Sequence, residues 1–329
     1  MKSPFTGKEM KRTWKKRTWE FRGEKYEYMH TGWVCEDTGE RFTTDESDTA
    51  AYIQVTNQYR AKYGIPYTDE IVEIRNRYGL SAAKISQLLG IGINQYRKYE
   101  QGEVPSVSNG RLIRSIMNPK VMLDMIESSK GELQEQEYKK LTQRLEKIIE
   151  NNLDYKMQQY ETKRIFSSSR SADNGYASIS LKKLKNIMIA ILERSEDVWC
   201  TKMNKLLFYV DFLSYRERGM AMTGLTYRAI DFGPVPERWD KVYSQFDEIQ
   251  LELQHIGEYE GTILRSTSKI EDDVLTNEEL NIINIVCNKF GSFSSREISK
   301  ISHEESAWKN HHQKLERIPF IEAFNLIYL

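Results

Sequence analysis

Two short helical runs, each closed by a glycine, constrain the stretch 81–102 more tightly than anything else in the chain. Ser81 to Gly90 (SAAKISQLLG) sets Ile85, Leu88 and Leu89 on one face, the spacing of a helix with one buried side. Ala82 and Ala83 are small enough for a neighbouring helix to come close. Gly90 stops the run, because glycine enters a left-handed cap at little cost. Ile91 and Ile93 flank Gly92 in the turn, and a second run from Asn94 to Gln101 ends at Gly102. Tyr96 and Tyr99, three apart, share its inner face, which leaves Asn94, Gln95, Arg97 and Lys98 pointing away. That spacing is a helix-turn-helix whose second helix enters a major groove. Asn and Gln pair bidentately with adenine and Arg with guanine, while Lys98 and Lys84 suit phosphates. A helical hairpin with a solvated polar face is the plainer reading of the same pattern.

Around this block the chain divides by changes of pattern. Residues 1–45 are aromatic and turn-rich, and 25–33 with Arg41 and Phe42 read as small strands around Gly32 and Gly39. From Thr49 the pattern turns helical, with Tyr52, Val55, Tyr59 and Tyr63 in register before Gly64-Ile65-Pro66 ends the run. Thr68 or Asp69 is placed to cap the next helix. A polar helix is expected over 133–163, with a narrow stripe of Leu141, Leu145, Ile148 and Asn152 for a partner helix or a bundle. The Ser-rich tract 166–175 has no periodicity and reads as a flexible joint. The expected domains are thus 1–48, a small β module; 49–130, a helix-turn-helix bundle; 131–175, a helical linker and joint; and 176–329, a mostly helical domain. The fold class is mainly α with small β elements (α+β).

Bulk properties exclude more than they assign. Lys and Arg number 48, as do Asp and Glu, so any nucleic-acid contact must come from a local patch. No apolar run approaches the roughly 20 residues that span a bilayer. The N-terminal residues lack the apolar stretch of a signal peptide, so a cytoplasmic protein is expected. Cys35, Cys200 and Cys287 are far apart and read as buried free thiols rather than a disulfide framework.

Three resemblances follow from these residues. The stretch 81–106 resembles the Cro/C1-type repressor domain. Ser3-Pro4-Phe5-Thr6-Gly7 and Cys35-Glu36-Asp37-Thr38-Gly39-Glu40 resemble the two zinc knuckles, CPxCG and CxxCGE, of MqsA-like antitoxins. Only Cys35 survives of four ligand positions, and hydroxyls are poor zinc ligands, so the scaffold is expected without metal or other cofactor. Phe5, Trp14, Trp19, Phe21, Tyr26, Tyr28, Trp33 and Phe42 are then candidates for the missing core. Residues 176–329 resemble the Panacea (SocA-like) domain through three blocks: 202–213, 219–236 and 301–309.

The middle block also has a physical reading. Residues 226–230 alternate like a strand, and Gly233-Pro234-Val235-Pro236 must be extended or turned, because residues before proline avoid the helical region. Pro236 suits the first position of a helix from Glu237 to Ser244. The result is a rigid corner, either purely structural or a recognition surface; Tyr227, Asp231, Phe232, Pro234, Pro236 and Trp239 are its candidate contacts. In Ser302-His303-Glu304-Glu305, Ser302 is expected as a helix cap closed by Glu305, not as a nucleophile, since adjacent side chains on a helix diverge. No catalytic residues are expected.

The resemblances imply an antitoxin of a type II toxin–antitoxin pair, non-enzymatic, whose C-terminal domain binds a cognate protein toxin and whose helix-turn-helix represses its own operon as a homodimer on operator DNA. A proteolytic adaptor that delivers a toxin to a protease, or a phage or mobile-element repressor without a toxin, stays open on sequence alone.

Overall fold

The structure is a computed structural model that describes every residue except 152–159, 161, 163, 164, 167, 168, 257 and 258. Among the described residues it is mainly helical, with one three-stranded and two two-stranded antiparallel sheets. The chain forms two compact units: Met1–Val55 with Thr162–Leu329, and Thr56–Glu161. The β module expected over 1–48 therefore shares a unit with the C-terminal domain rather than standing alone. No helix among the described residues is long and apolar enough to cross a membrane.

The unit Thr56–Glu161 is a bundle. Helix α1 (Asp45–Tyr63) enters it with its last two turns, followed by α2 (Thr68–Tyr78), α3 (Ala82–Leu88), α4 (Gln95–Glu100), α5 (Val107–Ser115), α6 (Pro119–Ser128) and α7 (Glu135–Glu150). Helix α2 starts at Tyr67 rather than on a Thr68 or Asp69 cap; Glu70 turns back to accept the Tyr67 N–H at 2.8 Å. Ser81 caps α3 through the Lys84 N–H at 3.1 Å. The core joins Ile71, Ile74, Tyr78, Ile85, Tyr96 and Ile113. Buried Tyr96 spends no polar group unpaired: its hydroxyl donates to Ile71 O at 2.8 Å and its N–H to Ser86 Oγ at 3.0 Å. Fully buried Arg60 donates to the carbonyls of Pro66, Gly102 and Glu103, stitching α1 to the loop after α4. On α7, Leu145 is buried in this core, with Leu141 and Ile148 against it, so the stripe builds the bundle. Asn152 and most of the expected extension to 163 lie outside the described residues.

The other unit begins with β1 (Lys11–Phe21), β2 (Glu24–Val34) and β3 (Arg41–Phe42), in that order across the sheet. The hairpin turns on Arg22 and Gly23, both at positive φ, the conformation that matches the twist of paired strands. Tyr26 and Tyr28 are buried beneath it, but Phe5 (66% exposed) and Trp19 (36%) are not, so those two do not supply core. The C-terminal part contains α8 (Leu181–Glu193), α9 (Cys200–Arg218), the β4 (Tyr227–Ile230) and β5 (Gly233–Pro236) hairpin, α10 (Trp239–Val242), the β6 (Ile249–Ile256) and β7 (Tyr259–Ser266) hairpin, α11 (Asn277–Phe290), α12 (Ser295–Glu304) and α13 (Ser306–His312). Every residue of α9 from Lys202 to Arg216 is buried, which makes it the axle of the unit. Gly219 ends it at φ 72°, and a Cβ there would lie 2.5 Å from Ala50 O; glycine lets α1 pass that closely.

The tract 166–175 is not bare linker where it is described. Phe166 and Asn174 are buried, Ser171 and Asn174 form a capping box, and Tyr176 follows into the core. Residues 167 and 168 lie outside the described residues. Cys35 and Cys287 are buried free thiols and Cys200 is half-buried.

Candidate functional site

Helix α4 presents the candidate DNA-reading face. Tyr96 and Tyr99 are buried and Asn94, Arg97 and Lys98 are exposed. Among the described residues, the side chains of Arg97 and Lys98 have no protein partner. The other two candidates are engaged. Lys84 Nζ lies 2.8 Å from Glu137 Oε1 and 3.1 Å from Gln87 Oε1, and Gln95 Nε2 donates to Glu103 at 2.8 Å.

The two N-terminal knuckles fold as a matched pair. The Ser3 N–H donates to Lys8 O at 2.8 Å and the Cys35 N–H to Glu40 O at 2.9 Å. Gly7 N–H donates back to Ser3 O and Gly39 N–H back to Cys35 O, at 2.9 and 2.8 Å. Ser3, Thr6, Cys35 and Thr38 thereby converge, with Thr6 Oγ1 3.6 Å from Cys35 Sγ. The Ser3 hydroxyl, then Thr38 and Thr6, hold the Cys35 thiol down to about 6. One thiol among three hydroxyls does not fit zinc, whose structural sites take four thiolates or imidazoles. His30 does not complete the set, because its Nε2 is 2.8 Å from Asp48.

The β4–β5 corner carries the candidate partner contacts, and they divide. Phe232 is 73% and Trp239 41% exposed, and Asp231 is exposed beside them. Tyr227, Pro234 and Pro236 are buried and shape the corner. The Tyr227 hydroxyl donates to Asp211 at 2.7 Å. The helix expected from Glu237 starts only at Trp239, because Pro236 ends β5, the Glu237 N–H donates to Thr226 O at 2.8 Å and Arg238 takes a left-handed φ of 59°; the Glu237 carboxylate accepts from Arg228, Arg317 and Thr226. Burial alone would raise the Glu237 carboxyl; these hydrogen bonds overcome it and hold it at about 2.

A stack braces the corner from outside. The Trp308 ring lies between His303 at 4.3 Å and His312 at 4.1 Å. Trp308 Nε1 donates to Ile230 O at 2.8 Å, and His312 Nε2 is 2.9 Å from Asp231. Beneath the turn, Gly233 adopts φ 95°, and a Cβ there would sit 2.8 Å from both Lys205 Cε and Ser302 Oγ. Lys205 Nζ and His303 Nε2 are buried there with no partner among the described residues. Burial lowers the Lys205 ammonium to about 7. It also lowers His303, with the nearby Lys205 charge adding to the effect.

The 302–305 stretch is corrected in one respect. Ser302 lies inside α12 and donates to Ser299 O at 2.8 Å; the cap of α13 is Glu305. Buried Glu305 accepts from Tyr209 at 3.1 Å and from the Ile327 N–H at 2.8 Å, so its carboxylate does structural work. Asp211 and Lys205 escaped the sequence reading, although a charge inside the apolar run of α9 was the available signal. Asp211 accepts from Met222 N–H, Thr223 N–H and the Thr223 and Tyr227 hydroxyls, and fixes the entry to β4.

Residues 203–309 match the family model described as antitoxin SocA-like, Panacea domain. Residues 1–127 match the one described as the antitoxin component of a bacterial toxin–antitoxin system, MqsA. No curated protein and no solved structure matches the chain. The knuckles, the three-stranded sheet and α3–α4 fall within one match, and most of the axle, the corner, His303 and Trp308 within the other: the chain carries two antitoxin-family segments, MqsA-like first and SocA-like Panacea second.

Proposed function

We propose that the chain is a non-enzymatic, cytoplasmic antitoxin that neutralises a cognate protein toxin by binding it, in the manner of type II pairs, and represses its own operon. The observation that carries this reading is the presence of two different antitoxin-family segments on one chain. Asp231, Phe232 and Trp239 on the β4–β5 corner are assigned to the toxin. A corner braced by the Trp308 stack loses little entropy on docking, and an exposed aromatic on such a support is a favoured anchor. Arg97, Lys98 and Asn94 are assigned to operator DNA, Arg97 and Asn94 at base edges and Lys98 at phosphate. Because operators for such helices are palindromic, the DNA-bound form is a homodimer. The test is to purify the full chain with the product of the adjacent reading frame and follow both on a sizing column. Co-elution as a defined complex is expected; separate elution of two folded proteins contradicts the reading.

A further inference from the structure

The unit Met1–Val55 with Thr162–Leu329 contains a cleft of about 650 Å³ that neither antitoxin-family segment forms alone. One wall is the start of α1 and Arg12 of β1; the other is the end of α9 and one face of α11. The floor is apolar, formed by Ile53, Leu213, Met220, Ile282 and Ile285. Ile285 is 40% exposed, although the neighbouring Ile282 on the same helix is buried at 4%. The charges at the rim are unequally occupied. Arg12 and Arg216 are both held by Glu217, and Arg218 by Glu279, with Glu278 a little farther at 3.6 Å. Asp45 and Glu46 at the start of α1 are exposed, and among the described residues no cation pairs with either. Their position favours the α1 dipole, but it leaves both carboxylates in water.

An apolar floor with an open isoleucine, basic groups already neutralised and, on one lip, exposed carboxylates that no cation pairs with among the described residues is complementary to one kind of occupant. We propose that the cleft seats a segment of the toxin that buries apolar side chains between Ile53 and Ile285 and sets Lys or Arg against Asp45 and Glu46. The partner's identity rests on the antitoxin reading; the chemistry of the segment rests on the cleft. The cleft also gives the N-terminal module a role apart from DNA, because its last residues supply the acidic lip.

The test uses the full chain and the purified, catalytically inactivated product of the adjacent reading frame, titrated by calorimetry. Ile285→Asp and the double variant Asp45→Lys, Glu46→Lys change exposed side chains, and unaltered melting curves establish that each still folds. Each is expected to weaken binding at least tenfold, with Ile285→Leu close to wild type. The double variant is also expected to flatten the salt dependence, since opposed charges weaken as salt rises. Wild-type affinity in both folded variants overturns the cleft assignment while the antitoxin reading stands. Loss of self-association in the variants with toxin affinity intact also overturns it, in favour of a second copy of the chain as occupant. If the wild-type chain itself binds no toxin, the antitoxin reading fails first and takes the partner assignment with it.

Discussion

Arg12 on β1 and Glu217 on α9 meet as a two-pronged ion pair, two guanidinium nitrogens against two carboxylate oxygens at 3.0 and 2.5 Å, across 205 residues of sequence. Glu217 also accepts from Arg216 Nε at 3.0 Å, and the Arg216 guanidinium lies 5.4 Å from the centre of the Trp14 ring. This network fastens the N-terminal sheet to the axle of the C-terminal part. Both partners are partly exposed, which keeps the pair modest in energy. Arg12→Ala in the full chain is expected to cost about 1 kcal/mol in denaturant unfolding. A double-mutant cycle with Glu217→Ala is expected to return a coupling of about 0.5–1 kcal/mol. Additive effects of the two changes would show that the pair does not act as a clamp.

Lys205 makes a prediction with a definite sign. Its folded-state value is lowered to about 7 from the ordinary 10.5, so between those values the unfolded chain binds more protons. Its contribution to stability therefore rises with pH from about 7 to about 10 and is constant below. Lys205→Met removes both the buried unpaired amine and that slope. The variant is expected to be more stable at pH 7 by about 1–3 kcal/mol. The difference between variant and wild type should shrink as pH rises toward 10. A variant less stable at pH 7, with an unchanged pH difference, would mean that Lys205 has a partner.

The knuckle pair is expected to fold without stoichiometric zinc, because three of its four ligand positions hold hydroxyls. Elemental analysis of protein purified without chelator checks this, and about one zinc per chain contradicts it. In a variant lacking Cys200 and Cys287, thiolate absorbance should titrate near pH 6, where the Ser3 and Thr38 hydroxyls hold Cys35. Ser3→Ala should move that midpoint upward.

On α4, Arg97→Ala is expected to cost about 1–3 kcal/mol of specific operator binding and to relax preference at one base position. Lys84→Ala should cost less, because Lys84 is already paired with Glu137. Unchanged affinity and preference for Arg97→Ala in a gel-shift titration would place the reading surface elsewhere.

The α3–α4 pair was legible because its information is local: the spacing of Ile85, Leu88, Tyr96 and Tyr99, and glycines where two helices end. The β4–β5 corner was legible for the same reason, since two prolines and a glycine restrict four residues of backbone. Strand β1 was not. KRTWKKRTWEF has no apolar alternation, and its place comes from cross-strand partners such as Tyr28 under Trp19 and Glu27 beside Lys16. Nor did the sequence reveal which compact unit residues 1–48 would join, because nothing near Arg12 names Glu217. At the corner, the residue pattern offered six candidate contacts without saying which would be exposed; Tyr227, Pro234 and Pro236 are buried, and Asp231, Phe232 and Trp239 are exposed. Lys205 and Asp211 look alike in sequence, two charges in one apolar helix, and only packing distinguishes the orphan from the residue with four donors.

A chain that silences a toxin restores growth to cells that the toxin arrests. Cells expressing the product of the adjacent reading frame are co-transformed with the full chain, with Phe232→Ala, or with residues 1–130. The full chain is expected to restore growth, Phe232→Ala to restore it less while its helical circular dichroism is unchanged, and residues 1–130 not to restore it. Continued arrest with the full chain folded and abundant would show that it does not neutralise this toxin, and full rescue by residues 1–130 would place the toxin contact outside the C-terminal part.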